Sequence, residues 1–208
     1  MLASITPLGE RGRNNRWGTT AAWYVAGSVL GGVTSGAVFG ALGALARTAL
    51  EGAGVSSTTL TAVALGVLAV LCAIGLACDL HLFGLRLPTN HRQVNERWLD
   101  TYRSWVYGGG FGFQLGLGLV TIVTVSATYL TFAAAFLSGS LLGGVLIGAT
   151  FGVARALPLL AARHADDFGA ISDLHRRAAA WEAPVRTVLL GGQSLALAAA
   201  TVLALGVA

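Results

Sequence analysis

Long apolar segments recur along the chain and leave it few folds to adopt. Five of them exceed the ~18 residues that a helix needs to cross a bilayer, and they run over residues 19–46, 58–83, 105–132, 141–160 and 185–207. Only 11% of the 208 residues are charged, whereas a soluble domain carries roughly 25%. The pattern predicts an all-α polytopic membrane protein, a single transmembrane domain over residues 1–208 with five transmembrane helices.

The arginines are distributed unevenly among the connections, and the chain has no lysine. Eleven of the thirteen lie before the first apolar run or in the second and fourth connections, whereas Arg47 alone lies on the other side and Arg155 lies within a run. Because cytoplasmic loops carry the excess of basic residues, we expect a cytoplasmic N-terminus and an outer C-terminus in the bacterial inner membrane. The basic charge thus indicates topology and lipid contact, not nucleic-acid binding. We expect no cleaved signal peptide.

Two of the predicted cytoplasmic connections carry amphipathic patterns. Apolar and aromatic residues recur there at helical spacing, with charges on the opposite face. They are Val94, Trp98, Tyr102 and Trp105 in the first connection, and Phe168, Ile171, Leu174, Ala178 and Trp181 in the second. We expect two interfacial helices at the headgroup boundary, which can also pack against the cytoplasmic ends of the bundle.

A short basic motif occurs twice. Pro7-x3-Arg11-x4-Arg16-Trp17 recurs 81 residues later as Pro88-x3-Arg92-x4-Arg97-Trp98, each time before a glycine-rich apolar run. We name its basic and aromatic members the collar: Arg11, Arg16, Trp17, Arg92, Arg97 and Trp98. The duplication predicts two tandem, parallel hairpin repeats at about 7–84 and 88–162, with an extra helix at about 185–207. The collar is first a topology device, and alternatively a docking site for a partner.

Glycines recur at four-residue spacing in three of the apolar runs. The series are Gly32, Gly36 and Gly40; Gly108, Gly112 and Gly116; and Gly144, Gly148 and Gly152. Such series let helix backbones approach closely, so ordinary tight packing is the first interpretation. Sliding or pore-lining faces are the alternative, and we expect self-association through glycine-rich faces to form a homo-oligomer.

Polar side chains within the apolar runs are candidates for function because burying them in a membrane is costly. Gln114 and Gln193 lie near the predicted midplane, where they either bond each other or line a polar path. Thr121 and Thr124 could line the same path, although threonine can also bond to its own helix. Asp79 and Arg155 lie at nearly equivalent repeat positions. They predict either a structural clamp or a gate in an ion-coupled substrate site.

Two cysteines, Cys72 and Cys78, lie six residues apart on one apolar run. Six residues on a helix separate two side chains by about 120° and ~9 Å, so a disulfide between them requires the helix to unwind. Packing is the first interpretation and redox activity the second. No phosphate-binding loop, hydrolase elbow or zinc signature occurs. We therefore expect a protein that is not an enzyme, with no cofactor and no metal site.

The stretch from Arg86 to Gly118, RLPTNHRQVNERWLDTYRSWVYGGGFGFQLGLG, resembles the CcdA/DsbD-type electron conduits and their LysE-like relatives. The resemblance implies a duplicated membrane scaffold. Those conduits place one reactive cysteine in each of two inverted three-span repeats, whereas here both cysteines lie in one run. The resemblance therefore implies the scaffold without the paired redox cysteines.

Three functions are compatible with these features. The first is an oligomeric membrane transporter or channel for a small solute or ion, with Gln114, Gln193, Thr121, Thr124, Asp79 and Arg155 along its path. The alternative is a non-catalytic membrane subunit or scaffold that docks a protein partner on the cytoplasmic collar. The second alternative is a thiol-redox conduit that uses Cys72 and Cys78.

Overall fold

The structure is a computed structural model that describes residues 5–84, 101–118 and 126–207. It contains seven α-helices in these ranges and no strand. They are α1 (Pro7–Gly12), α2 (Trp17–Gly52), α3 (Ser57–Asp79), α4 (Ser104–Leu117), α5 (Ala127–Leu137), α6 (Leu141–Ala161) and α7 (Phe168–Val207). Short 3₁₀ turns follow α3 at Leu82–Gly84 and α6 at Ala162–His164. The chain is an all-helical membrane protein, as predicted.

Four helical segments of the described chain are long and apolar enough to cross a membrane: Trp17–Gly52, Ser57–Asp79, Leu141–His164 and Phe168–Val207. The predicted third span over residues 105–132 is wrong as a single helix. Its first part ends at Leu117, where Gly118 adopts the left-handed conformation with φ of 71°. Glycine takes this conformation without a Cβ penalty and ends helices for that reason. A separate short apolar helix, α5, begins at Ala127.

Both predicted interfacial helices need correction. The segment from Phe168 to Trp181 is helical, but it is continuous with the predicted fifth span in one helix of 40 residues that contains Pro184. In the other segment, Arg103 has extended backbone with ψ of 153° and precedes α4. Tyr102 and Trp105 therefore do not belong to one uninterrupted helical face. Val94 and Trp98 lie outside the described residues.

The chain forms two compact units. Unit one comprises Met1–Gly32, His91–Ile122 and Ala149–Pro184, and unit two comprises Val33–Asn90, Val123–Gly148 and Val185–Ala208. Each unit takes segments from both predicted repeats, and the repeat boundaries themselves stay a prediction.

In unit one, the first half of α2 packs against α4 along a line of glycines. A Cβ added to Gly108, Gly112 or Gly116 would meet the backbone of Thr20, Tyr24 or Ser28, respectively. Residue numbers rise together on both helices, so the two run in the same direction. The rings of Trp23 and Trp105 contact each other at a tilt of 51°, with centroids 5.9 Å apart. The core of this unit is a buried cluster: Ile5, Ala21, Tyr24, Tyr107, Phe111, Ala156 and Leu159.

In unit two, the second half of α2 packs against α6 and α5. A Cβ on Gly36 would meet the carbonyl oxygen of Gly144, and one on Gly43 would meet that of Phe136. The rings of Phe39 and Phe132 stack at 5.1 Å. The glycines named in these contacts thus lie where helix backbones pack tightly inside each unit. Self-association of the protein stays a prediction, and these glycine faces are already occupied within the chain.

Candidate functional site

The carboxylate of Asp79 lies at the end of α3 and caps the start of α5. The α3 helix ends at this residue because Leu80 acts as its C-cap and His81 follows with φ of 55°. Ser126, directly before α5, donates to Asp79 from its backbone nitrogen at 3.0 Å and from its hydroxyl at 2.6 Å. The first N–H groups of a helix have no partner within it, so this carboxylate satisfies one of them and joins two helices.

The amide of Gln193, on α7, completes this cluster in unit two. Its Nε2 donates to Oδ2 of Asp79 at 2.9 Å and to the hydroxyl of Ser126 at 2.7 Å. A carboxylate only accepts hydrogen bonds, so the nitrogen of the amide must face Asp79. Gln193 is 6% exposed, and its Oε1 accepts no hydrogen bond within the part of the chain that the structure describes. We name these three residues the Asp79 cluster.

Two neighbouring residues hold the helices that build the Asp79 cluster. Arg186, two turns before Gln193 on α7, donates to the backbone carbonyl of Asp79 at 2.8 Å. Gly75, one turn before Asp79 on α3, lies so close to Ser126 that an added Cβ would meet its Oγ at 2.7 Å. Helices α3, α5 and α7 therefore converge on one buried polar group inside unit two.

A second buried carboxylate belongs to unit one. Glu10, on α1, is fully buried and accepts hydrogen bonds from the hydroxyls of Thr20 at 2.7 Å and Tyr107 at 2.6 Å. Arg13 donates to it at 2.7 Å. Burial disfavours the charge of the Arg13 guanidinium, but the hydrogen bond and charge of Glu10 outweigh it and raise the pKa of Arg13. A buried charge is tolerated when it is paired and hydrogen-bonded, and Glu10 meets this condition.

The N-terminal helix that carries Glu10 is built by local signals in the sequence. Thr6 accepts a hydrogen bond from the backbone nitrogen of Gly9 as N-cap, and Pro7 occupies the first helical position. Both are preferred residues at these positions. Trp17 of the collar donates to the carbonyl of Ile5 at 3.3 Å, which fixes the segment against the start of α2.

Comparison with known proteins gives the family of the chain. The family described as cytochrome c biogenesis protein transmembrane region matches residues 2–193. The chain belongs to this family. The resemblance to CcdA/DsbD-type membrane proteins, predicted from the sequence, is thereby confirmed.

Curated relatives of this family member are methylamine utilization proteins MauF. Those of Paracoccus versutus and Paracoccus denitrificans are 37% and 33% identical over 164 residues, which is 76% of this chain and 56% and 55% of theirs. The protein of Methylophilus methylotrophus is 30% identical over the same length, 53% of its own chain. The chain thus spans about half the length of these relatives. No solved structure matches it.

The cysteines of this family member lie together on α3. Cys72 and Cys78 are both free thiols and both buried. The described residues hold no group of three or more histidine, cysteine, aspartate or glutamate side chains that could bind a metal ion. The arrangement offers neither a disulfide nor a metal centre within these ranges.

The structure describes some of the residues that were predicted to line a transport path and not others. The structure brings Asp79 and Gln193 together, with Ser126 as a member that the sequence analysis missed because it lay inside a span assumed to be one helix. Both amide hydrogens of Gln193 are engaged within the Asp79 cluster, and its predicted bond to Gln114 stays a prediction. Gln114 is half-buried on α4 in unit one. Thr121 and Thr124 lie outside the described residues.

Arg155 and the collar complete the predicted set. The guanidinium of Arg155 lies over the ring of Phe151, 5.5 Å from its centroid, within unit one. Its predicted pairing with Asp79 stays a prediction. In the first copy of the collar, Arg11 forms an exposed ion pair with Asp166 at 3.0 Å, and Arg16 is exposed. The second copy, Arg92, Arg97 and Trp98, lies outside the described residues.

Proposed function

We propose that this protein moves a small polar solute or ion across the membrane past the Asp79 cluster. One observation carries the proposal: Oε1 of Gln193 is a buried hydrogen-bond acceptor that receives no donor from the described residues, directly beside a carboxylate. An unsatisfied buried polar group costs about 1–3 kcal/mol. A ligand with a positive charge or a hydrogen-bond donor would remove this cost when it binds.

A purely structural role explains only part of the Asp79 cluster. Joining α3, α5 and α7 requires the two donors of Nε2, which are both engaged, and the hydrogen bonds that Asp79 accepts. It does not require Oε1. Intramembrane ionisable residues commonly mark the pathways of ions and substrates, and this cluster places a carboxylate and a free acceptor within apolar helices.

Orientation, oligomerisation and membrane are part of the same proposal. The arginine bias supports a cytoplasmic N-terminus in the inner membrane. The four long helices of the described ranges are few to enclose a path alone, which favours an oligomer. A free surface exists on α7, where a Cβ added to Gly191 or Gly192 would meet nothing within 4 Å. Helices of neighbouring copies can approach closely at such small residues.

Flux into proteoliposomes containing the purified chain tests the proposal. We expect uptake of at least one small ion or polar solute, and an at least tenfold loss in Gln193→Met. Ser194→Ala is the matched control because Ser194 is the next residue and its hydroxyl donates to the carbonyl of Leu190 on its own helix. Correctly inserted protein that passes none of a broad panel of solutes would contradict the proposal.

A second candidate is a non-catalytic membrane subunit that docks a protein partner on the collar. Its support is an exposed aromatic residue beside the collar: Arg11 pairs with Asp166, and Phe168, two residues further on, is 81% exposed. The relatives are named for methylamine utilization, and this name is compatible with a membrane subunit that acts together with a partner protein. Cross-linking in membranes tests it: Arg16→Gln should abolish a specific cross-linked partner without loss of insertion. Recovery of the chain only as a homo-oligomer would contradict it.

A further inference from the structure

Given the proposed function, we infer that the ligand of the Asp79 cluster is a small monovalent cation, bound by Oε1 of Gln193 and the carboxylate of Asp79. Oε1 of Gln193 must lie near the Asp79 carboxylate, because the nitrogen of the same amide is hydrogen-bonded to that carboxylate. Nε2 of Gln193 lies 2.9 Å from Oδ2 of Asp79, and the two polar atoms of one amide are ~2.3 Å apart, so Oε1 lies within about 5 Å of the carboxylate. A cation held at Oε1 therefore lies beside the carboxylate and within reach of its negative charge.

The acceptors and donors of the cluster are unbalanced. Oδ2 of Asp79 accepts from the Ser126 hydroxyl and from Nε2. The backbone nitrogen of Ser126 is shared between Oδ1 at 3.0 Å and Oδ2 at 3.3 Å, and it is the one donor that the described residues give Oδ1. Each carboxylate oxygen has about two lone-pair sites, so Oδ1 has one left and Oε1 has both. The donors of Ser126 and Gln193 are all engaged. The cluster offers free acceptors without free donors, which suits a cation and excludes an anion.

The charge of the cluster fits a single positive charge. Within unit two, the described residues give the Asp79 carboxylate no ion pair with an arginine or histidine. Arg186 is exposed and gives its hydrogen bond to the backbone carbonyl of Asp79 instead. The cluster therefore contributes one negative charge from one carboxylate.

A divalent cation fits less well. Calcium takes six to eight oxygen ligands and usually several carboxylates, and magnesium demands octahedral geometry. The Asp79 cluster has one carboxylate, and the described residues hold no group of three acidic or metal-binding side chains. An alkali-metal ion and a protonated small amine both carry one positive charge and bind to acceptor oxygens. The experiment below distinguishes between them.

Thermal unfolding of the full chain in nanodiscs tests the inference. Sodium, potassium, ammonium and methylammonium chlorides are titrated at constant ionic strength, with choline chloride as the bulky cation without N–H donors. We expect a saturable rise in the unfolding midpoint for at least one small cation, with an apparent affinity at least tenfold above that of choline. The cation that gives the rise identifies the source as alkali metal or amine.

Two variants of Gln193 separate binding from support of the helices. Gln193→Met removes the acceptor and should abolish the cation response. Gln193→Lys places an ammonium group beside Asp79 and Ser126, so it should unfold at a higher temperature than Gln193→Met and respond to no added cation. Ser194→Ala should respond as the unmodified protein does. An equal response to choline and the small cations, or a response that survives in Gln193→Met, would overturn the inference.

The outcomes also separate this inference from the proposed function. Uptake of a neutral solute without any cation response would overturn the inference and leave the transport function standing. A cation response without uptake of any solute would overturn the transport function and leave a cation site with a structural role.

Discussion

The hydroxyl of Tyr107 lies 2.6 Å from the carboxylate of Glu10, a residue 97 positions away in the sequence. Both side chains are fully buried. The bond joins the N-terminal helix α1 to α4 within unit one, and Thr20 of α2 adds a second hydroxyl to the same carboxylate. A single buried carboxylate therefore joins three helices, as Asp79 does in unit two.

Removal of one of the hydroxyl groups that donate to Glu10 should destabilise unit one measurably. A hydrogen bond to a charged group contributes about 1.5–3 kcal/mol, so Tyr107→Phe should lower the unfolding midpoint by several degrees. Thr20→Val should do the same. Thr19→Val is the matched control because Thr19 is the exposed neighbour. Thermal unfolding in detergent measures the effect, and equal midpoints for Thr20→Val and Thr19→Val would contradict the assigned hydrogen bond.

Glycine replacement in the α2–α4 contact should be costly where the backbones touch. A Cβ at Gly112 would clash with the carbonyl oxygen of Tyr24, so Gly112→Ala should destabilise the protein by about 1–3 kcal/mol, the usual cost of overpacking. At Gly66 an added Cβ meets nothing within 4 Å. Gly66→Ala should therefore be neutral or stabilise by up to about 1 kcal/mol through helix propensity. The opposite order of stabilities would show that the assigned packing is wrong.

The buried thiols should be dispensable for the proposed transport. Cys72 and Cys78 are free and buried on one helix, about 120° apart around its axis. The double variant Cys72→Ser, Cys78→Ser should keep at least half of the solute uptake. Alkylation of the folded protein should also be slow before and after treatment with an oxidant. Loss of uptake in the double variant together with oxidant-dependent alkylation would favour the thiol-redox conduit.

The sequence predicted those features that depend on long apolar runs and on isolated polar residues. Asp79 and Gln193 were each selected because a polar side chain inside an apolar run is costly. Their contact through Ser126 was not predicted, because that contact depends on where α4 ends, and a single left-handed glycine, Gly118, determines this. A glycine-rich segment contains many candidates for such a break.

Glu10 was missed for a different physical reason. Within a polar and basic N-terminal segment, a carboxylate usually remains in solvent, so its residue type gave no signal. The adjacent pair Thr6-Pro7 is a helix-start pattern and would have predicted α1. The burial of Glu10 depends on Tyr107 and Thr20, which is a tertiary relationship that local sequence does not encode.

The most direct test of the account is cation-dependent uptake into proteoliposomes by the unmodified protein, Gln193→Met and Ser194→Ala, compared at equal reconstituted amounts. If cations pass the Asp79 cluster, the unmodified protein and Ser194→Ala should show saturable uptake of a small monovalent cation, and Gln193→Met should show an at least tenfold lower rate. Equal rates for Gln193→Met and Ser194→Ala would contradict the role assigned to the Asp79 cluster.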